Sequence, residues 1–180
     1  EKDITWFFSG LMFKSGRIDM VNAFFKFPGG KYLSTEQGFL KDEEKTTALK
    51  SEEYFKYMNR SFFVPCPMGW VNIDTQRIYE TLDAGSIPVV TYNLSGKSID
   101  PNYWAHIFNE KEIPCVIGTN WGEAVEQCKA IMDSNGCEQL NQKFQTFWAN
   151  RQSTWKLKIK FFFNSLRSQK HINSINSVNP

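Results

Sequence analysis

The sequence predicts a doubly wound α/β domain with a mainly parallel sheet of about five strands. Three observations carry this. Apolar runs alternate with helical spacings from Ile4 to Met132, the pattern of successive βαβ units. The runs Trp6-Phe7-Phe8, Phe62-Phe63-Val64 and Val89-Val90 are continuously apolar, as in strands covered on both faces. The length of 180 residues suits one domain with at most a small appendage, and 41% hydrophobic content supplies a core.

The elements follow in order. Ile4 to Phe8 reads as a buried strand stopped by Ser9-Gly10. Ile18, Val21, Phe24 and Phe25 recur at helical spacing after Gly16-Arg17, and Phe27-Pro28-Gly29-Gly30 closes that helix. Lys31-Tyr32-Leu33 is a weak strand, and Gln37 to Lys45 is a polar, acidic surface loop. Ser51 is the expected cap of a helix whose first turn carries Glu52 and Glu53, with Phe55 and Met58 facing inward. Phe62 to Val64 is a strand. Pro65-Cys66-Pro67-Met68-Gly69 is a loop that its prolines keep out of a sheet interior.

Asp74 is the expected N-cap of a helix through Ala84, with Gly85 at C′. Ile87-Pro88-Val89-Val90 is the next strand, and Ile113-Pro114-Cys115-Val116-Ile117 repeats its form. Asn120 and Glu123 fit a capping box, opening a helix with Ala124, Val125, Cys128, Ile131 and Met132 on one face. Leu140 to Leu166 reads as one or two helices. Their apolar stripe is Phe144, Phe147, Trp148, Trp155, Ile159 and Phe162, with Lys156, Lys158 and Lys160 beside it. A solvated basic face explains these lysines first, a membrane or partner site second. Residues 164–180, rich in Asn and Ser, read as a frayed tail.

Several classes are disfavoured. A net charge of +2 argues against a dedicated nucleic-acid binder. No apolar run reaches the ~18 residues of a membrane span. The chain opens Glu1-Lys2-Asp3 and reads as a piece of a longer protein. Cys66, Cys115, Cys128 and Cys137 form no CxxC pair, and neither His106 nor His171 is near a cysteine in sequence, so no metal site is expected. Cys66 and Cys115 read as buried hydrophobes. Cys128 and Cys137, on either side of Asn135-Gly136, are open both to a disulfide and to free thiols. There is no Walker or GxGxxG motif, and His106 reads as structural.

Ligands of doubly wound sheets bind beyond the carboxyl ends of the strands. Two loops qualify. One follows Phe8 and carries Ser9, Gly10 and Arg17; the other runs from Pro65 to Thr75 and opens a helix. A helix N-terminus attracts phosphate, and Gly69 lets backbone approach a ligand. Arg77 and Glu80 lie on one face of that helix. Spacing alone reads them first as a surface ion pair. The second reading is a cation for diphosphate beside a carboxylate for ribose hydroxyls.

The segment from Ser51 to Val90 goes further. It contains Tyr54, then Ser61-Phe-Phe-Val-Pro-Cys66-Pro67-Met-Gly69, then Thr75-Gln-Arg77-Ile-Tyr-Glu80 and Gly85-Ser-Ile-Pro88-Val-Val90. This resembles the donor half of exostosin-like glycosyltransferases, and Trp6-Phe7-Phe8-Ser9-Gly10 with Gly16-Arg17 is similar to the first strand and loop of that half. The resemblance covers about residues 4–120. It implies the C-terminal, Rossmann-like half of a GT-B fold and a nucleotide-sugar donor, a UDP-sugar first, with no obligatory metal or other cofactor. Arg77 would contact the diphosphate and Glu80 the ribose. Gly69 and the N–H groups near Thr75 would cradle phosphate, and Arg17, beside Gly10, would be a second phosphate contact. Thr75 stands where the family often has Ser, and the helix lacks the acidic-lysine pair of some fucosyltransferases, since Thr81 follows Glu80.

The implied partners are a glycan or glycoprotein acceptor and an N-terminal GT-B half, which would supply the catalytic base. The implied division is a donor domain over 1–138, helices over 139–166 packing on it or on that other half, and a flexible tail over 167–180. Alternatives are a non-catalytic sugar-nucleotide-binding subunit, a degenerate domain, or a GT-B sugar-nucleotide epimerase. A eukaryotic parent would be anchored in the Golgi and face its lumen; a bacterial or viral one would be cytoplasmic. Asn59-Arg60-Ser61 and Asn93-Leu94-Ser95 are formal glycosylation sequons.

Overall fold

A computed structural model describes residues 1–12, 15–35, 49–69, 73–94, 97–100, 102–108 and 113–176. The loop expected over residues 37–45 lies outside them. Strand β1 (Ile4–Gly10) is followed by α1 (Ser15–Phe24), β2 (Lys31–Ser34), α2 (Ser51–Asn59), β3 (Ser61–Pro65), α3 (Gln76–Asp83) and β4 (Ile87–Thr91). Next come the short β5 (Asn93–Leu94) and β6 (Lys97–Ser98), α4 (Tyr103–Phe108), β7 (Val116–Gly118), α5 (Trp121–Asp133) and α6 (Cys137–Asn176). Five strands form one sheet in the order β2-β1-β3-β4-β7, every pair parallel. This is a Rossmann-like arrangement. β5 and β6 form a separate antiparallel pair that the sequence analysis does not anticipate.

The strands are covered on both faces, as their unbroken apolar runs require. Phe7, Phe8, Phe63, Val89 and Val90 are essentially inaccessible. Trp6 is anchored as well as packed: its ring N–H donates to Phe27 O at 2.7 Å, and its ring meets Phe24 at 5.2 Å. At the amino end of the sheet, Lys2 Nζ donates to Asn59 O, Ser61 O and Ser86 Oγ at 2.7–3.0 Å. Ser86 is fully buried and lies 2.7 Å from Met58 O and 2.8 Å from Ser61 O, toward which its hydroxyl donates. Burial pushes the Lys2 ammonium down to about 8.

Local details correct several expectations. The inner face of α1 is Met20, Val21 and Phe24, whereas Ile18 and Phe25 are exposed. In α2 Met58 is buried but Phe55 is exposed; its ring instead packs edge-on against Tyr54 at 5.6 Å. The N-cap of α2 is Lys50 rather than Ser51, and no side chain caps it. Asp74 does not cap α3 either. Its carboxylate accepts from the Tyr103 hydroxyl at 2.6 Å, and Thr75 takes the cap position. Gly85 does close α3, at φ +65°, where a side chain is strained.

Strand β7 is shorter than the run Ile113 to Ile117, because Cys115 N–H turns back to Ile113 O at 2.8 Å. The α5 capping box is displaced by one residue on one side. Asn120 Oδ1 accepts from Glu123 N–H at 3.0 Å, while the Glu123 carboxylate accepts from Thr119 N–H at 2.8 Å. Thus the orphan N–H of Glu123 is met, the Glu123 side chain ties down the residue before the cap, and Glu123 is held below the usual carboxylate range first by the Thr119 hydroxyl. All four cysteines are free and buried, which decides between the two readings of Cys128 and Cys137.

The chain divides into two compact units, Glu1–Gln145 and Thr146–Pro180. The first holds the sheet, its helices and the start of α6. There Gln145 Nε2 donates to Leu82 O at 2.9 Å. The second is the remainder of α6, a single helix that continues to Asn176, beyond the boundary that the sequence predicts at residue 166. Within it Trp148 and Trp155 meet edge to face at 5.6 Å, and the Arg151 guanidinium lies 5.2 Å from the Trp155 ring centre.

Candidate functional site

β1 lies between β2 and β3, so the order reverses there, and the carboxyl ends of β1 and β3 flank the switch point where doubly wound folds bind ligands. Both loops singled out by sequence open at this edge. β1 ends at Gly10 and leads to α1, which carries Arg17. β3 ends at Pro65 and leads through Gly69 to Thr75 and α3, which carries Arg77 and Glu80.

The structure brings Gly10, Arg17 and Arg77 together. A Cβ at Gly10 would stand 3.4 Å from Arg77 Nη2, 3.5 Å from Arg17 Nη1 and 3.2 Å from Phe8 Cζ. The absence of a side chain there is what admits both guanidiniums. Arg77 is fixed from two sides. It donates from Nη2 to Ser9 O at 2.7 Å, and its guanidinium lies 4.3 Å from the Phe8 ring centre and 5.9 Å from that of Tyr54. Arg17 donates from Nη1 to Leu11 O at 2.9 Å. Two donors remain buried without a partner, Arg77 Nη1 and Arg17 Nε. Among the described residues no carboxylate pairs with either arginine. Burial and, behind it, the charge of Arg77 depress the Arg17 pKa below the ordinary arginine value.

Arg77 and Glu80 therefore do not form the i,i+3 ion pair that spacing favours. Glu80 Oε2 instead accepts from the Tyr54 hydroxyl at 3.3 Å. Tyr54 is held in turn against Phe7, ring centres 5.7 Å apart. Burial pushes the Tyr54 phenol up to about 12; Arg77 opposes this and Glu80 adds to it. So Tyr54 is a neutral donor throughout the physiological range and orients the Glu80 carboxylate.

Thr75, the N-cap of α3, makes no capping bond, and its hydroxyl is buried without a partner. The first N–H groups of α3 also have no acceptor within the helix. Gly69 belongs to this edge by its place after β3, but none of these contacts involves it. Beside the cluster is a small cavity lined by Gly16, Pro67, Met68, Ile73, Trp104 and Trp121.

The site can bind an anion. Two half-buried guanidiniums meet at the end of β1, each with one buried N–H that has no acceptor, and the helix that carries Arg77 opens with an unengaged hydroxyl and free N–H groups; an anionic oxygen would supply the missing acceptors. Residue pattern alone gives no role to Phe8, Ser9 or Tyr54 in this cluster. Ser9 acts through its main-chain carbonyl, which no side-chain pattern reveals. Tyr54 stands within the quoted motif, and that placement was the one available signal.

The family model described as RXYLT1 C-terminal domain matches residues 5–166 of this chain. No curated protein matches it.

Proposed function

Since this chain belongs to the RXYLT1 C-terminal domain family, an exostosin-related, glycosyltransferase-related domain, we propose that it is the donor-binding half of a glycosyltransferase. Its ligand in this reading is a nucleoside-diphosphate sugar, a UDP-sugar first. The observation that carries the reading is the pair of guanidiniums at Gly10, with buried N–H groups and, among the described residues, no carboxylate partner.

Transfer breaks the bond between the sugar's anomeric carbon and the diphosphate and forms one to an acceptor hydroxyl of a glycan or glycoprotein. Charge builds on the departing diphosphate. Arg77 and Arg17 are placed to meet that charge where water is partly excluded, with the N-terminus of α3 adding its dipole. This requires no resident metal. Glu80, oriented by Tyr54, is the acceptor for ribose hydroxyls. Thr75 Oγ1 and Gly69 complete the phosphate cradle. The base that takes the acceptor's proton comes, in this reading, from an N-terminal GT-B half.

Calorimetric titration of the full chain with UDP, GDP, CDP and inorganic pyrophosphate tests this. UDP is expected to bind more tightly than pyrophosphate. Its advantage over 2′-deoxy-UDP is expected to fall roughly tenfold in Glu80→Gln, the worth of one hydrogen bond to a charged acceptor. Equal binding of every phosphate, or no change in Glu80→Gln, would overturn the nucleotide assignment.

A further inference from the structure

The second unit carries a feature that donor binding leaves unused. After Glu138 the sequence has seven Lys and Arg and no Asp or Glu, although the whole chain carries only +2. In the same stretch large apolar side chains stand in solvent: Trp155 39%, Ile159 56%, Phe162 57% and Phe163 56% exposed. These four fall at i, i+4, i+7 and i+8, within roughly 100° of helical arc. Lys156 and Lys160 border that arc on one side, Arg151 and Lys158 on the other. Leu157 and Phe161, also exposed, lie outside it.

An apolar arc bordered on both margins by cations is the arrangement of a helix lying in a membrane interface. The rings enter the acyl boundary while the lysine stems run up to anionic headgroups. No described helix is long and apolar enough to cross a membrane, so this geometry concerns lying on a bilayer. Charge decides among occupants. A neutral apolar groove, on an N-terminal half or elsewhere, would leave the bordering cations unmatched, and a nucleic acid would leave the rings unburied.

We propose that residues 151–163 of α6 form a docking surface for an anionic phospholipid bilayer. The test is co-sedimentation of the full chain with phosphatidylcholine vesicles, with and without about 30% phosphatidylserine, while tryptophan emission is followed. Binding to the anionic vesicles, blue-shifted emission and weakening with added salt are expected. Each lysine near such a surface is worth about a fivefold change in binding. The triple variant Lys156→Gln, Lys158→Gln, Lys160→Gln should therefore lose roughly a hundredfold. Trp155→Ser with Phe162→Ser should lose both binding and blue shift, with helicity in far-UV circular dichroism checked for each variant. Absence of binding by a folded chain, equal binding to neutral vesicles, or self-association that shields Trp155 without vesicle binding would each overturn the proposal.

Discussion

Replacing Arg77 by Met should nearly leave the unliganded fold alone while removing its ligand. The two sides of the balance can be worked out. Arg77→Met gives up the bond to Ser9 O and the stack on Phe8, about 1–3 kcal/mol and about 0.5–1 kcal/mol. The Met thioether restores some of the second by packing on the same ring. Against this, the variant removes a buried N–H with no acceptor, about 1–3 kcal/mol. It also removes repulsion from Arg17. Both guanidiniums come within 3.5 Å of one point, so their nearest nitrogens are at most about 7 Å apart. At an effective dielectric of ~20 that repulsion is about 2 kcal/mol, less where solvent screens it.

The terms offset to within a kcal/mol or two. Truncating one partner of a desolvated charge pair, by contrast, costs about 2–5 kcal/mol of binding, a loss of roughly thirtyfold to several thousandfold in nucleotide affinity. Urea denaturation measures the first quantity and calorimetric titration with UDP the second. A stability loss above about 3 kcal/mol with affinity intact would refute the reasoning and make Arg77 a structural strut.

Gly10→Ala should weaken UDP binding about tenfold with the sheet intact, because the new methyl meets Phe8 Cζ at 3.2 Å and shifts the arginine stacked on that ring; unchanged affinity would contradict this. Ser86→Ala should cost about 1–3 kcal/mol in urea denaturation by stranding one proton of Lys2 and removing a second donor from Met58 O; a neutral result would mean that water replaces the hydroxyl. Alkaline pH should destabilise the fold. Burial raises all four thiols above their ordinary value of 9.0, Cys66 to about 12. The folded state therefore holds protons that the unfolded chain releases, and stability present below pH 9 falls as pH climbs toward the folded values. Cys66 contributes about 1.4 kcal/mol per pH unit over that range, and the other three act in the same direction. Lys2, lowered to about 8, acts in the opposite direction between pH 8 and 10.5, while Tyr54 and Tyr103, raised to about 12, join the thiols above pH 10. A urea midpoint that holds flat from pH 8 to 11 would be inconsistent with four buried thiols.

The architecture was legible because strands covered on both faces write themselves as unbroken apolar runs, and because Gly85 and Asn120 end and begin helices by local chemistry. Errors arose where a distant residue intervened. Asp74 has the side chain of a cap, but Tyr103 claims it. Ile18 and Phe25 fit the period of α1 yet lie outside the narrower stripe that Met20, Val21 and Phe24 bury. In the site, Arg77 and Glu80 could be placed on one face from spacing. Their separate partners could not, since Ser9 offers a main-chain oxygen and Tyr54 arrives from another helix. Arg17 and Gly10 share a loop in sequence, but only the approach of β1 to α3 shows that one guanidinium comes from each side.

The position of β1 has a consequence for how the protein comes into being. Both of its neighbours lie later in the chain: Phe7 pairs with Lys31, and Ile4 pairs with Ser61. During synthesis β1 emerges before both neighbours and waits for β3 to follow, so its rings Trp6, Phe7 and Phe8 need protection from aggregation in the interval. The arginine cluster cannot assemble earlier, because Ser9 and Gly10 belong to the first strand while Arg77 belongs to a helix beyond the third. Under the proposed function, nucleotide binding is thereby a late reporter of maturation: a nascent chain that held the ligand would already have docked β1, β3 and α3.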